Sequence, residues 1–216
     1  MKKLYFFILA MTVFGAMMVT TGNHTYAASS TIQMGNNNGD VWDLQYRLKV
    51  LGYYDSTVDG VYGWQTWQAV RNFQSDYGIK IDGTVGAQTM NVLKKVSVNQ
   101  NELDMLARMI HAEARGELYT GQVAVGAVIM NRLKSPLFPN TMQDVLFQRF
   151  AFSAIDDGQY WNNAPNATAY RAAMDAVRGW DPTNGALYYF NPKTATSSWI
   201  WTRPQLVSIG NHTFMK

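Results

Sequence analysis

Cysteine is absent from this 216-residue chain, and histidine occurs only three times. Without cysteine the protein can form no disulfide bond, no cysteine-ligated metal site and no thiol nucleophile. One of the three histidines lies within the first 27 residues, so a histidine-rich metal site is also disfavoured. We therefore predict that the protein uses no metal ion and no other cofactor.

Charged residues are scarce as well, at 15% of the chain, whereas aromatic residues reach 13%. The formal net charge is +3, and it falls to +1 if Lys2 and Lys3 are removed with the N-terminal segment. Such a small excess gives no reason to expect nucleic-acid binding. Abundant aromatic residues suit a carbohydrate-handling protein, although they are more often part of a core.

The N-terminus has the three parts of a secretory signal peptide. Lys2 and Lys3 precede an uncharged apolar stretch over residues 4–19, and small or polar residues then lead to Ala27. A helix that spans a membrane usually needs about 20 apolar residues, so an uncleaved anchor is the less favoured alternative. We predict a signal peptide over residues 1–27 and an exported protein.

An internal repeat marks the first domain. The residues DGVYGWQT at 59–66 return as DGTVGAQT at 82–89, which is 23 positions later. Two copies are too few for a solenoid, so a compact helical unit of roughly 60 residues is favoured. With LQYRL at 44–48 and LGYY at 51–54, the repeat resembles the helical peptidoglycan-binding domain of bacterial wall hydrolases. The resemblance covers residues 35–95 and implies that peptidoglycan is a partner.

A second domain is predicted after a short polar linker at residues 96–101. Asn101 is a candidate N-cap, and Leu103, Leu106 and Ile110 form the apolar stripe of a helix that ends at Gly116.

Glu113 falls on the same side of this helix as its apolar stripe. It follows Leu106 by seven residues, which brings the two positions to within about 20° around the helix axis. Burial disfavours the ionised form of a carboxyl group, and a general acid must carry its proton. The alternative is a structural carboxylate at a helix end, in solvent or paired with Arg108 or Arg115.

The residues around Glu113 resemble the catalytic core of the spore cortex-lytic enzyme family (SleB type). The resemblance covers residues 102–216 and is carried by AEARGE at 112–117, GQVAVGAV at 121–128, GALYYFNP at 185–192 and SSWIWTRP at 197–204. It implies a lysozyme-like α+β domain with Glu113 as the catalytic residue. We accordingly expect a mainly α protein with a small β element near residues 186–201.

The resemblance also implies a substrate and a cellular setting. The substrate would be spore cortex peptidoglycan, cleaved between muramic acid and glucosamine during germination. The protein would act in the spore cortex and inner spore membrane region, with a germination protein of the YpeB type as a partner. We expect a monomer.

Six residues are candidates for substrate binding because sugar rings are held by stacking and by side-chain hydrogen bonds: Gln122, Ser153, Tyr188, Tyr189, Trp199 and Trp201. For Gln122 and Ser153 the alternative is a hydrogen bond within a helix or turn. In the YYF segment at 188–190, at least one ring is expected in the core.

Few carboxyl groups are available beside Glu113. Hydrolysis of a glycosidic bond uses two, about 5 Å apart for retention or about 6.5–9.5 Å apart for inversion. A lytic transglycosylase uses one, as acid and then as base, and the SleB resemblance implies this route. A true hydrolase (a muramidase or glucosaminidase) with a second carboxylate and a non-catalytic wall-binding protein remain alternatives. An amidase or endopeptidase usually requires a zinc or cysteine site, which this sequence lacks, so this alternative is disfavoured.

Overall fold

The computed structural model describes residues 31–195 and 198–216, so the predicted signal peptide lies outside the described residues. No helix in the described ranges is long and apolar enough to cross a membrane. The elements confirm a mainly α protein with a small β element. The helices are α1 Gly39–Leu51, α2 Trp64–Asp76, α3 Ala87–Val96, α4 Gln100–Ala114, α5 Tyr119–Lys134, α6 Met142–Leu146, α7 Ser153–Asp156, α8 Gln159–Asn162 and α9 Ala167–Val177. The strands are β1 Tyr188–Phe190, β2 Gln205–Ile209 and β3 His212–Met215, and a 3₁₀ helix covers Trp199–Thr202.

Helices α1 to α3 enclose a small apolar core, and two buried glutamines explain the sequence repeat. Gln45 on α1 accepts hydrogen bonds from the backbone N–H groups of Asp59 and Gly60 at 3.0 and 2.8 Å, and its amide donates to Thr66 Oγ1 at 3.0 Å. Gln74 on α2 makes the same contacts with Asp82, Gly83 and Thr89. Each Asp-Gly turn is therefore fixed to the preceding helix by one fully buried amide.

The connection between the two helical units is shorter and more buried than the predicted linker at 96–101. Helix α3 runs to Val96 and α4 begins at Gln100, and Ser97 and Val98 are fully buried between them. The prediction of Asn101 as N-cap was wrong. The Asn99 side chain accepts from the N–H of Glu102, whose carboxylate accepts from the N–H of Asn99, which is a reciprocal capping box.

The second unit is built around α5, which α4 and α9 flank. Every residue from 121 to 130 is buried, which explains why this segment, apart from Gln122, is apolar on all sides of the helix. Gly126 allows the close approach of the neighbours. A Cβ atom there would lie 2.9 Å from Ile110 Cδ1 and 3.0 Å from Ala176 Cβ.

A three-stranded antiparallel sheet packs on α5, in the order β1-β3-β2. The predicted location of the β element, near residues 186–201, was right for β1 and wrong for the other two strands. Residues 199–202 form the 3₁₀ helix instead, and the β2–β3 hairpin lies at 205–215. Its turn contains Gly210 at a φ of +60°, a conformation that glycine adopts without strain.

Candidate active site

Glu113 stands in the last turn of α4, and both of its carboxylate oxygens accept hydrogen bonds. The backbone N–H of Ala154, in the first turn of α7, donates to Oε1 at 2.8 Å, and the Ser153 hydroxyl lies 3.4 Å from the same oxygen. The Tyr189 hydroxyl, from β1, donates to Oε2 at 3.0 Å. Two distant segments of the chain, α7 and β1, thus fix the orientation of one carboxyl group on α4.

A cleft of about 420 Å³ opens above this carboxyl group. Ser153 and Tyr189, which the sequence analysis named, line it together with Glu113. The other lining residues are Ala112, Ala151, Phe152, Ala154, Asp157, Gln159, Phe190, Asn191, Thr194, Ala195 and His212. The floor is therefore formed by α4 and β1, and the walls by α7 and by the segment after β1.

Tyr189 keeps its proton in this setting. Burial raises the pKa of its phenol well above the ordinary value, and the charge of the neighbouring Glu113 carboxylate acts in the same direction. Its ring packs edge-on against His212, with the centroids 5.2 Å apart, and tilted against Phe214 at 5.8 Å. The ring is thus held on two sides, and its hydroxyl is a stable hydrogen-bond donor to Glu113.

The other predicted substrate-binding residues are placed differently. Tyr188 and Trp199 line a second pocket beside the cleft. Trp201 is half-exposed and packs edge-on against Phe190 with a centroid distance of 4.5 Å. Gln122 is buried, and its amide donates to the carbonyl oxygen of Glu117 at 3.2 Å, which is the structural alternative considered for it. Neither Trp201 nor Gln122 is among the described residues that line the cleft.

Five polar residues that line the cleft were not among the predicted site residues: Asp157, Gln159, Asn191, Thr194 and His212. Asn191 directly follows the YYF segment. Its closeness in sequence to Tyr189, a predicted site residue on β1, was therefore the signal that could have identified it. His212 gave no local signal, because its position depends on the pairing of β3 with β1 and β2.

Glu117, the second carboxylate close to Glu113 in sequence, has a structural position. Its side chain is nearly buried and accepts from the backbone and side-chain N–H groups of Asn211 at 3.1 and 2.9 Å. It lies 3.8 Å from His212 Nδ1, and the turn at Gly210 packs directly against it. Glu117 therefore fastens the β2–β3 hairpin to the segment between α4 and α5. Within the described residues, no three His, Cys, Asp or Glu side chains are grouped so as to hold a metal ion.

Comparison with known protein families gives two matches. The model of the cell wall hydrolase family matches residues 116–215, and that of a putative peptidoglycan-binding domain matches residues 37–93. The first match begins three positions after Glu113.

Curated relatives resemble nearly the whole chain. The spore cortex-lytic enzyme of Bacillus cereus is 43% identical, over 88% of this chain and 87% of its own length. The corresponding enzymes of Oceanobacillus iheyensis and Bacillus subtilis are 41% and 37% identical, and each alignment covers more than nine tenths of both chains. Among solved structures, the catalytic domain of the germination-specific lytic transglycosylase SleB from Bacillus anthracis superposes with a TM-score of 0.52 at 56% identity, over 55% of this chain and 97% of that one.

Proposed function

Because this chain belongs to the family of spore cortex-lytic enzymes, we propose that it cleaves cortex peptidoglycan as a lytic transglycosylase in which Glu113 is both acid and base. The observation that carries the proposal is the carboxyl group of Glu113 in the cleft, with a hydrogen-bond donor fixed to each of its oxygens. The bond cleaved is the one between muramic acid and glucosamine.

The reaction proceeds in two proton transfers. Protonated Glu113 donates to the glycosidic oxygen while the bond from that oxygen to the anomeric carbon of muramic acid breaks. The resulting carboxylate then removes the proton of the muramic acid C6 hydroxyl, whose oxygen bonds to the anomeric carbon. The product has a 1,6-anhydro ring, no water is consumed, and Glu113 recovers its proton.

The hydrogen bonds that Glu113 accepts stabilise its carboxylate form, which exists between the two proton transfers. After the first transfer the side chain is a carboxylate, and the Ala154 N–H and Tyr189 O–H already point at its two oxygens. Hydrogen bonds to a charged acceptor stabilise the charged form, and fixed donors need no reorganisation at the moment of reaction. These donors also orient the carboxyl group for the second transfer.

The remaining residues of the cleft and its surroundings would hold the glycan. Ser153 is exposed at the cleft wall, and Asn191 and Gln159 offer amide groups there. Tyr188 and Trp199 present rings beside the cleft on which sugar faces can stack. The helical domain over residues 35–95 would keep the enzyme on its insoluble substrate, and the export predicted from residues 1–27 would bring it there.

A true hydrolase is the second candidate, and Asp157 is the observation that favours it. This carboxylate lines the same cleft as Glu113 and is exposed to solvent. A hydrolase needs such a second carboxylate as nucleophile or as base for water. In the structure both oxygens of Asp157 accept from Gln159, at 2.9 Å from its backbone N–H and 2.8 Å from its side-chain amide.

Mass analysis of the products from purified spore cortex tests the proposal. A transglycosylase leaves anhydro-muramic ends, which are lighter than reducing ends by one water molecule. We expect anhydro ends from the parent protein and also from Asp157→Asn, which keeps the size and polarity of the side chain. Reducing ends, together with loss of cleavage in Asp157→Asn, would replace the transglycosylase by the hydrolase.

A further inference from the structure

A second pocket adjoins the cleft and has a different chemical character. It encloses about 330 Å³, and two residues, Ala151 and Tyr189, line both spaces. Its described lining residues include two arginines and no aspartate or glutamate. We call it the arginine pocket; it is formed by Arg132, Leu137, Phe138, Gln148, Arg149, Phe150, Ala151, Tyr188, Tyr189, Trp199 and Ile200.

Arg132 forms the inner wall of the arginine pocket, and one N–H donor of its guanidinium group has no acceptor. The side chain is only 5% exposed, and its Nε donates to the carbonyl oxygen of Leu187 at 2.8 Å. Its Nη1 is buried and has no hydrogen-bond partner among the described residues. A buried guanidinium donor that is left unpaired is costly and uncommon, so an acceptor from outside the protein would complete it.

Aromatic rings hold the Arg132 guanidinium in place without satisfying its N–H groups. The ring centroids of Phe152, Phe138 and Tyr188 lie 5.0, 5.1 and 5.7 Å from it. A second guanidinium, that of Arg203, lies over the rings of Tyr188 and Trp199 at 4.3 and 4.8 Å. Arg203 is not a lining residue, but through these two rings it adds a positive charge beside the pocket.

The outer rim of the pocket contains the second lining arginine and a strained residue. Arg149 is exposed, and its guanidinium lies 4.6 Å from the ring of Phe150. Phe150 is itself 77% exposed and has a φ of +61°, which a residue with a Cβ atom adopts at a cost. Strain of this kind concentrates at ligand-binding segments, where the surrounding structure maintains it.

We propose that the arginine pocket binds a carboxylate of the substrate next to the bond that Glu113 cleaves. Guanidinium groups recognise carboxylates through charge-assisted hydrogen bonds. Muramic acid carries a lactyl carboxyl group, either free or linked by an amide to a stem peptide that has carboxylates of its own. The inference rests on the proposed function, because it takes a muramic acid residue in the adjoining cleft as the source of this group.

Calorimetric binding to the full chain carrying Glu113→Gln tests the inference, because this background removes cleavage. Three muramic acid–glucosamine oligosaccharides serve as probes: one with free lactyl carboxylates, one with stem peptides, and one with neutral lactyl methylamides. We expect at least one of the two charged probes to bind about tenfold more tightly than the neutral one, and this preference to weaken with added salt. Tighter binding of the probe with free lactyl carboxylates would identify the lactyl group as the ligand of the arginine pocket. Tighter binding of the probe with stem peptides would identify a carboxylate of the peptide instead.

Three further substitutions localise the effect. Arg132→Gln should abolish the preference for the charged probes. Arg149→Gln, at the exposed rim, should reduce this preference about threefold. The second variant keeps the test valid if Arg132→Gln fails to fold. Arg171→Gln is the matched control, since Arg171 is exposed on α9 and lies over Tyr119 at the opposite end of α5 from Arg132.

Equal affinity for all three probes, or a preference that Arg149→Gln leaves unchanged, would overturn the inference. Reducing ends among the cleavage products, with the charge preference intact, would overturn only the transglycosylase proposal.

Discussion

At the scale of single residues, the site depends on how one carboxyl group is held. Glu113 comes from α4, and its hydrogen-bond donors come from α7 and β1, which are about 40 and 76 positions away in sequence. The helical spacing predicted the face on which Glu113 lies, whereas Tyr189 and Ser153 were predicted from their residue types as substrate-binding residues and not as hydrogen-bond partners of Glu113. No periodicity could predict that Ala154 contributes through its backbone N–H, because a backbone contact leaves no mark in the residue type.

Glu113→Gln should reduce the cleavage rate by about 10²- to 10⁴-fold, the usual cost of losing a general acid. The amide keeps the size of the side chain but cannot donate a proton to the glycosidic oxygen and cannot act as the later base. Turbidity loss of spore cortex suspensions measures the rate, and circular dichroism checks the fold. Asp156→Asn is the matched control, since it removes an exposed carboxylate in α7 that does not line the cleft. Undiminished cleavage by folded Glu113→Gln would remove Glu113 from the mechanism.

His212 should make stability depend on pH. Burial lowers the pKa of its imidazole below the ordinary value, and the Glu117 carboxylate, at 3.8 Å, only partly opposes this. The folded state therefore prefers the neutral ring. Its contribution to stability is complete above the unfolded pKa of about 6.5 and is lost as the pH falls through the lower folded value.

Urea unfolding at pH 7 and pH 5 measures this effect. We expect the free energy of unfolding to fall between the two values, and to fall less in His212→Gln than in the parent protein. Only the change with pH is compared, because the substitution also alters packing against Tyr189. An identical fall in both proteins would show that His212 does not titrate in this range.

At the scale of elements, the sequence was informative where a pattern is local. The apolar stripe of α4 and the repeat at 59–66 and 82–89 both predicted real structure. The reason for the repeat was not local, because Gln45 and Gln74 bind turns that follow them by 14 and 8 positions. The β2–β3 hairpin was missed for a similar reason: β2 has a bulge between Gln205 and Val207, and every residue of β3 is buried, so neither strand shows a clear alternation.

The capping box of α4 should make a measurable contribution to the free energy of unfolding. Asn99→Ala removes the acceptor for the Glu102 N–H at 2.8 Å and should reduce the free energy of unfolding by about 1 kcal/mol. Chemical denaturation measures the change. Asn101→Ala is the control, since Asn101 is an exposed residue of the first turn, and it should change stability by less than about 0.5 kcal/mol. A larger effect at Asn101 than at Asn99 would contradict the cap assigned here.

At the scale of the whole molecule, the two helical units share an interface. Val50, at the end of α1, is 4% exposed and belongs to the apolar core of the second unit, against which Tyr46 and Leu51 also pack. The carbonyl oxygen of Val50 accepts from Arg178 Nε at 2.8 Å, and Arg47 pairs with Glu102 at 3.1 Å. The polar composition of residues 96–101 predicted only a linker between two domains, because composition does not reveal which residues of a neighbouring helix are buried.

Calorimetric unfolding should show whether this interface makes the protein a single cooperative unit. We expect one transition for the parent protein, because neither unit can unfold without exposing the apolar surface that it shares with the other. Val50→Asp places an unpaired carboxylate in the interface, which should cost about 3 kcal/mol and separate the transition into two. Lys49→Asp is the matched control, since it introduces the same side chain at the adjacent, exposed position of the same helical turn and should keep one transition. Two transitions in the parent protein, or an unchanged single transition in Val50→Asp, would mean that the contacts around Val50 do not couple the two helical units.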